Sequence, residues 1–448
     1  MQKYEHYKPS GVEWLGEVPE GWEAMALKFV LEIPITDGPH ETPEILTDGV
    51  PFLSAEAVKN DRLDFDKKRG YISEEDDLRF SKKYKPKRGD VYMVKSGATT
   101  GNVARVETDQ RFNIWSPLAV MRPHKEKITT DYLFYFLKSD YFLTCVQNKW
   151  SYGTQQNIGM GVLANIRILV PPLLEQTAIA DYLDQKTAYI DRLIDRQQLL
   201  LEKLSEKRTA LITEAVCGRA TVRPQASGVT FRDSGIPWLG AVPEGWETWK
   251  ITHLIDIVGS GTTPKSDNPE YYDGEILWVT TSELRETYIS DTKQKVTQKA
   301  LNDYSALKVY PKNSVAIAMY GATIGRLGIL TKEATFNQAC CIFVPSEKIH
   351  YKFLFYWLWH RRPILISLSN GGGQPNLSQD DLKKIKIAIP DYKEQTSIAD
   401  YLDQETAQID RLRAQIETVV GRLKEYRTAL ITQVVTGKVK VSVGHTSG

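Results

Sequence analysis

The sequence predicts an α+β protein: two pseudo-twofold-related mixed α/β domains separated by a long antiparallel two-helix coiled coil. Two internal repeats predict it. Residues 175–220 recur with 26 identities as residues 394–439. The segment Trp14-Leu15-Gly16-Glu17-Val18-Pro19-Glu20-Gly21-Trp22-Glu23 recurs as Trp238-Leu239-Gly240-Ala241-Val242-Pro243-Glu244-Gly245-Trp246-Glu247. Between those anchors the halves diverge. Matching frames with dissimilar inserts describe a device that reads two things at a fixed separation.

Along the chain, residues 1–23 form the first copy of the repeated lead-in and residues 24–172 the first insert. A helix follows over 173–218, then a linker and the second lead-in over 219–247. The second insert spans 248–390, the second helix 391–437, and a flexible tail 438–448. A chain of 448 residues exceeds one ordinary core, which agrees with several domains.

Each insert reads as β-rich around a short Gly-bounded loop, the signature of a hairpin. Val91-Tyr92-Met93-Val94 leads into Gly97-Ala98-Thr99-Thr100-Gly101 and Val103-Ala104-Arg105-Val106. Val315-Ala316-Ile317-Ala318-Met319 leads into Gly321-Ala322-Thr323-Ile324-Gly325 and Leu327-Gly328-Ile329-Leu330. Asp131 to Phe142 and Tyr351 to Arg361 read as buried aromatic-rich helices. The strands Ile166–Val170 and Ile385–Ile389 deliver the chain to its long helices.

Those helices carry an apolar a/d seam. In the first it is Ile179, Leu183, Ile190, Leu193, Leu200, Leu204 and Leu211. In the second it is Ile398, Leu402, Ile409, Leu412, Ile416, Val419, Leu423 and Leu430. Prolines 171, 172 and 390 precede the starts, and Gly218 and Gly437 follow the ends. A helix of about 40 residues is roughly 60 Å long and cannot bury such a seam alone. Antiparallel pairing lets the second insert bridge one helix's end and the other's start.

Composition narrows the function classes. Apolar residues make up 42% and charged residues 25%, with no run long enough for a membrane span. Four cysteines show no C-x-x-C spacing and seven histidines no metal motif, so no metal site is expected. A net charge of +1 excludes a strongly basic, non-specific nucleic-acid binder. The Gly97–Gly101 loop lacks the Lys-Ser/Thr of a phosphate-binding loop. Asn268-Pro269-Glu270-Tyr271 departs from the methyltransferase Asn-Pro-Pro-Tyr pattern and reads as a turn. No Gly-x-Ser-x-Gly elbow is present. The expectation is a chain with no catalytic residues of its own.

These features resemble the specificity subunit of type I restriction-modification enzymes. The carrying residues are the Glu-Gln-Thr-x-Ile-Ala-x-Tyr-Leu-Asp blocks at 175–184 and 394–403. Ser10-Gly11-Val12-Glu13-Trp14-Leu15-Gly16 and Ser234-Gly235-Ile236-Pro237-Trp238-Leu239-Gly240 add to them, as do the openings Asp37-Gly38-Pro39-His40 and Gly259-Ser260-Gly261-Thr262. The resemblance implies a cytoplasmic, non-catalytic reader of double-stranded DNA with no membrane contact. Each target-recognition domain would bind one half of a split, asymmetric site, and the helices would set the spacer. Two methyltransferase subunits with S-adenosylmethionine and two motor-nuclease subunits with ATP and Mg would dock on it. No cofactor is expected on this chain.

Sequence is read by polar side chains at base edges, with basic residues placing the backbone. The candidates are Lys95, Ser96, Thr99, Thr100 and Asn102 in one half, and Tyr320, Thr323 and Arg326 in the other. Gln155, Gln156 and Asn157, with Gln374 and Asn376, can read adenine bidentately. Lys82, Lys83, Lys85, Lys87 and Arg88 suit a phosphate clamp. A coiled-coil scaffold whose end domains bind proteins stands as the alternative.

Overall fold

The computed structural model describes residues 2–12, 15–149, 151–152, 156–219, 230–367 and 376–441. The chain forms two compact units, Met1–Gln198 with Glu417–Gly448, and Leu199–Ile416. Each unit takes half of each long helix, Leu173–Val216 and Tyr392–Val435.

Unit 1 is built on Val91–Val94, buried along its whole length as an apolar central strand requires. It lies antiparallel between Val103–Arg105 and Leu118–Met121, with Thr36–Asp37 on the outer side of the latter. A second sheet sets Val50–Leu53 between Gly70–Ile72 and the parallel Asn113–Ile114. Strand Arg167–Val170 pairs with Glu23–Ala26 and feeds the first long helix. The aromatic segment forms two helices, Thr130–Leu137 and Asp140–Gln147, rather than one. Ser139 divides them, since its buried hydroxyl accepts the Phe142 amide and caps a new helix. Tyr132, Phe134, Phe136 and Phe142 share a core with Ile179 to Ile194 and Leu430 to Val435.

The N-terminal segment closes onto the end of the second long helix. Gln2 bridges Lys440, Tyr7 Oη donates to the Gly437 carbonyl at 3.1 Å, and Lys438 reaches the Glu17 carbonyl at 2.9 Å. Gly437 has φ +70, and Pro19 and Trp22 leave no room for a Cβ there. Gly218 repeats this in unit 2, with φ +68 and Pro243 and Trp246 against it. The repeated Pro-Glu-Gly-Trp segment is therefore a cap over each helix's C-terminal glycine.

Unit 2 repeats the plan with more strand. Val315–Ala318 pairs antiparallel with Leu327–Leu330 and Cys340–Pro345, flanked by Ile255–Ser260 and Thr287–Ile289. A three-stranded sheet holds Tyr272–Val279 between Lys295–Val296 and Thr335–Phe336. Strand Lys386–Ile389 pairs with Glu247–Lys250 and feeds the second long helix. Pro269–Tyr271 is the expected turn, with Asn268 capping it.

The Glu-Gln-Thr repeat has a structural role. Buried Gln176 donates to the Lys127 and Pro171 carbonyls and accepts the Thr129 amide. Gln395 does the same with Lys348, Pro390 and His350. Tyr135 bonds Asp184 at 2.6 Å and Thr187, and Tyr356 bonds Asp403 at 2.7 Å and Thr406. The repeated helix residues thus fasten each long helix to its aromatic helix.

Within each unit the half-helices run in opposite directions. In unit 1 Asp191 meets Arg427, while Tyr132 links Leu169, just before the first helix, to Val435 at the second's end. In unit 2 Arg208 meets Asp410 and Ser205 meets Arg413. The strict heptad needs correction: Leu200, Leu412 and Val419 are exposed at 45%, 49% and 43%. Leu193, Leu204, Leu211 and Leu423 are half-buried, whereas Ile194, Ile212, Ile431, Val434 and Val435 are buried. A helix of 3.6 residues per turn drifts from a 3.5 repeat. Thr187 and Thr406 also occupy buried positions that an apolar count skips, their hydroxyls bonded to the Leu183 and Leu402 carbonyls.

Candidate nucleic-acid interface

The Gly-bounded turns have one backbone design in both units. In unit 1 the chain enters and leaves through Gly97 and Gly101, at φ +101 and +99, conformations open to glycine. Gly101 N donates to the Val94 carbonyl and Asn102 N to that of Thr99. In unit 2 Gly321 and Gly325 sit at φ +77 and +76; Gly325 N donates to Ala318 and Arg326 N to Thr323.

A second segment lies beside each turn. Ser96 bridges Asn157, and Ile158 N donates to the Lys95 carbonyl at 2.9 Å. Tyr320 bridges Asn376, and Leu377 N donates to the Met319 carbonyl at 2.8 Å. The structure therefore brings Ser96, Thr99 and Asn102 to one edge with Asn157, and Tyr320, Thr323 and Arg326 to one edge with Asn376. Thr99, Asn102, Asn157, Tyr320, Arg326 and Asn376 are exposed; Ser96 and Thr323 are half-buried. Thr100 turns back, its hydroxyl on the Gly97 carbonyl at 2.7 Å. Gln156 pairs with Tyr152 in a short strand. Gln155 and Gln374 lie outside the described residues.

The basic cluster divides. Lys82, Lys85 and Lys87 are exposed, and Arg88 pairs with Asp109 at 2.9 Å. The stretch is pinned from beneath by buried Asp90, which accepts the Lys87 amide and the Tyr84 hydroxyl. Arg122 grips Asp90 at 2.7 Å and the Lys85 carbonyl at 2.9 Å. The Asp90 hydrogen bond raises the Arg122 pKa above the usual guanidinium value, and burial pushes Tyr84 up. Lys83, itself exposed, and buried Lys95 turn toward the loop opening. Both reach Asp37, which is fully buried, at 2.5 and 3.3 Å, with His40 at 3.1 Å. Lys95 is itself only 9% exposed.

Asp37 was the main residue that composition and spacing passed over. Its signal was the Asp-Gly opening, where the Ile114 carbonyl leaves no room for a Cβ at Gly38. Among the described residues no cluster of His, Cys, Asp or Glu can hold a metal, and no helix is long and apolar enough to cross a membrane.

Two units on one repeated frame, each presenting a different polar edge, are the construction of a specificity protein. The chain belongs to the type I restriction modification DNA specificity domain family, whose model matches residues 19–203 and 243–420. It is 27% identical to the MjaVIII specificity subunit of Methanocaldococcus jannaschii, over 95% of this chain and 94% of that one. To the Escherichia coli EcoBI specificity subunit it is 24% identical, covering 66% and 63%. Its fold is similar to a chain from a structure of complex assembly in the type I R-M system, with TM-score 0.66, 17% identity and coverage of 94% and 99%. The HsdS subunit of Thermoanaerobacter tengcongensis gives TM-score 0.50 at 17% identity, over 94% and 98%. The role of the chain is DNA sequence specificity within a restriction-modification system.

Proposed function

We propose that each unit reads one half of a bipartite, asymmetric DNA site and that the two long helices act as one antiparallel coiled coil fixing the unread spacer. The carrying observation is the pair of turns, alike in backbone, hydrogen bonds and Gly-Ala-Thr-x-Gly sequence, but flanked by different side chains: Lys95, Ser96 and Asn102 in unit 1, Met319, Tyr320 and Arg326 in unit 2. Asn157 and Asn376 are suited to bidentate adenine contacts and Arg326 to guanine. Lys82, Lys85 and Lys87 are suited to phosphates, which position rather than specify. Half-sites about one duplex turn apart, roughly 34 Å, agree with a helical spacer.

Methylation and cleavage belong, in this reading, to partners: two methyltransferase subunits carrying S-adenosylmethionine and two motor-nuclease subunits using ATP and Mg. Exposed apolar residues on the long helices support docking of the methyltransferase there: Tyr189, Val419 and Tyr426 in unit 1, and Leu199, Leu200 and Leu412 in unit 2. The test is selection of random duplexes by the chain with its methyltransferase partner. A bipartite motif supports the reading; a flat outcome at moderate salt removes it and favours a protein-binding scaffold. Matched insertions near Gln197 and Ile416 should lengthen the spacer and leave both half-sites unchanged.

A further inference from the structure

Two acidic residues outside the reading edges sit in left-handed backbone and pair with arginines, Asp61 with Arg427 and Glu286 with Arg362. In unit 1 Asp61 has φ +69 at the tip of the hairpin Val58–Lys59 with Arg62–Leu63. Its carboxylate pairs with Lys138 and lies 2.7 Å from Arg427 Nη2. The same guanidinium grips Asp191 of the other long helix through Nε at 2.8 Å and Nη2 at 3.1 Å. One arginine thus ties the recognition domain to both long helices.

In unit 2 Glu286, with φ +61, precedes the strand Thr287–Ile289. Its carboxylate lies 2.5 Å from Arg362 on the aromatic helix. Arg208 is the repeat counterpart of Arg427, and it meets Asp410, the counterpart of Asp191, at 3.4 Å. The Arg362 stem also packs on Gly325 at the end of the reading turn, where a Cβ would come within 2.7 Å of it.

A non-glycine residue in the left-handed region is strained and persists where its surroundings dictate it. Burial outweighs Arg362 and raises the Glu286 pKa. A half-buried ion pair at a left-handed backbone position suits a role in fixing geometry.

We propose that Asp61 and Glu286 are positioning residues for DNA reading. Asp61 fixes its recognition domain on the long helices through Arg427, and Glu286 fixes its domain through Arg362 on the aromatic helix that Tyr356 fastens to the second long helix, and each so sets the spacer at which that domain's half-site is accepted. The proposal rests on the bipartite reading above.

The test is duplex selection by the full chain assembled with its methyltransferase partner, comparing wild type with Asp61→Asn, Glu286→Gln and the double variant. Both half-site sequences should stay the same. Selected duplexes with a spacer one base pair too long or short should rise roughly fivefold for each variant. An unchanged spacer distribution, or an altered half-site sequence, overturns the proposal. A wild type that selects no bipartite motif overturns the underlying reading instead. Should Asp61→Asn fail to fold, Arg427→Lys keeps the cation but not the fork and must show the same broadening. Asp61→Glu and Glu286→Asp, which retain the charge, should restore most of the wild-type spacer preference; no rescue would mark the broadening as a folding defect.

Discussion

At the root of the first recognition loop, unit 1 buries a charge where unit 2 buries neutral groups. Asp37 pairs with Ala119 across its sheet, and Ser260 with Cys341 at the corresponding place; both precede a glycine with no room for a Cβ. Asp37 is held by Lys83, Lys95 and His40. Ser260 donates to the Cys340 carbonyl at 2.9 Å, and its own carbonyl accepts Tyr310 Oη at 2.7 Å. Met319 stands where unit 1 has Lys95, and each accepts the amide of the neighbouring segment. What the units share is a backbone route. The side chains beneath the reading edge are exchanged as sets.

That contrast is open to attack by mutation. The largest effect should come from Asp37→Ala, which leaves buried Lys95 without its carboxylate and destabilises unit 1 by about 3 kcal/mol. Ser260→Ala removes one neutral hydrogen bond and should cost only about 1 kcal/mol. Urea unfolding of the full chain measures both, and equal losses would erase the distinction. Gln176→Ala and Gln395→Ala run the other way, because their bonding is the same in both units. Each should cost about 2 kcal/mol by leaving a backbone amide and carbonyls unpaired, and a large difference between them would break the internal equivalence.

Acid titration sharpens the comparison further. Burial acts to raise the Asp61 pKa, but Lys138 and Arg427 outweigh it and hold the carboxyl below its usual value. Its contribution is present above about pH 4 and lost as pH falls through the lowered pKa. Glu286 has the opposite sign: with its pKa raised, its contribution is present at low pH and lost as pH rises through that value. Asp61→Asn should therefore lower stability at pH 7 and flatten the acid limb, whereas Glu286→Gln should leave or raise stability at pH 7. Stability curves against pH for the two variants check this. The smallest stability effects belong to the reading edges. Asn157→Ala and Asn376→Ala should change unfolding by less than about 0.5 kcal/mol. Each should weaken selection at a single half-site by about 1 to 3 kcal/mol, and loss at both half-sites would show that the units do not read independently.

Much of this was legible in the chain because repeats report frames. The long helices, their proline and glycine punctuation, and the hairpins at 91–106 and 315–330 all follow from local pattern. The split of the aromatic segment at Ser139 was not legible, since a serine among Phe and Tyr signals a cap only once its hydroxyl meets the Phe142 amide. The heptad misplaced Leu200, Leu412 and Val419 because a helix of 3.6 residues per turn drifts from a 3.5 repeat, and it skipped the buried Thr187 and Thr406, whose hydroxyls bond Tyr135 and Tyr356. Nor could spacing separate Lys83 and Lys95, turned toward Asp37, from Lys82, Lys85 and Lys87.

By itself the sequence determined the doubled architecture, because duplicated helix blocks and glycine turns are local and periodic signals, while the class of reader followed from its resemblance to a known family. Only the tertiary structure decided which polar side chains face outward and which acids lock which arginines. Those outcomes depend on residues far apart in the chain, such as Asp61 with Arg427, meeting in space, and no local period encodes that meeting.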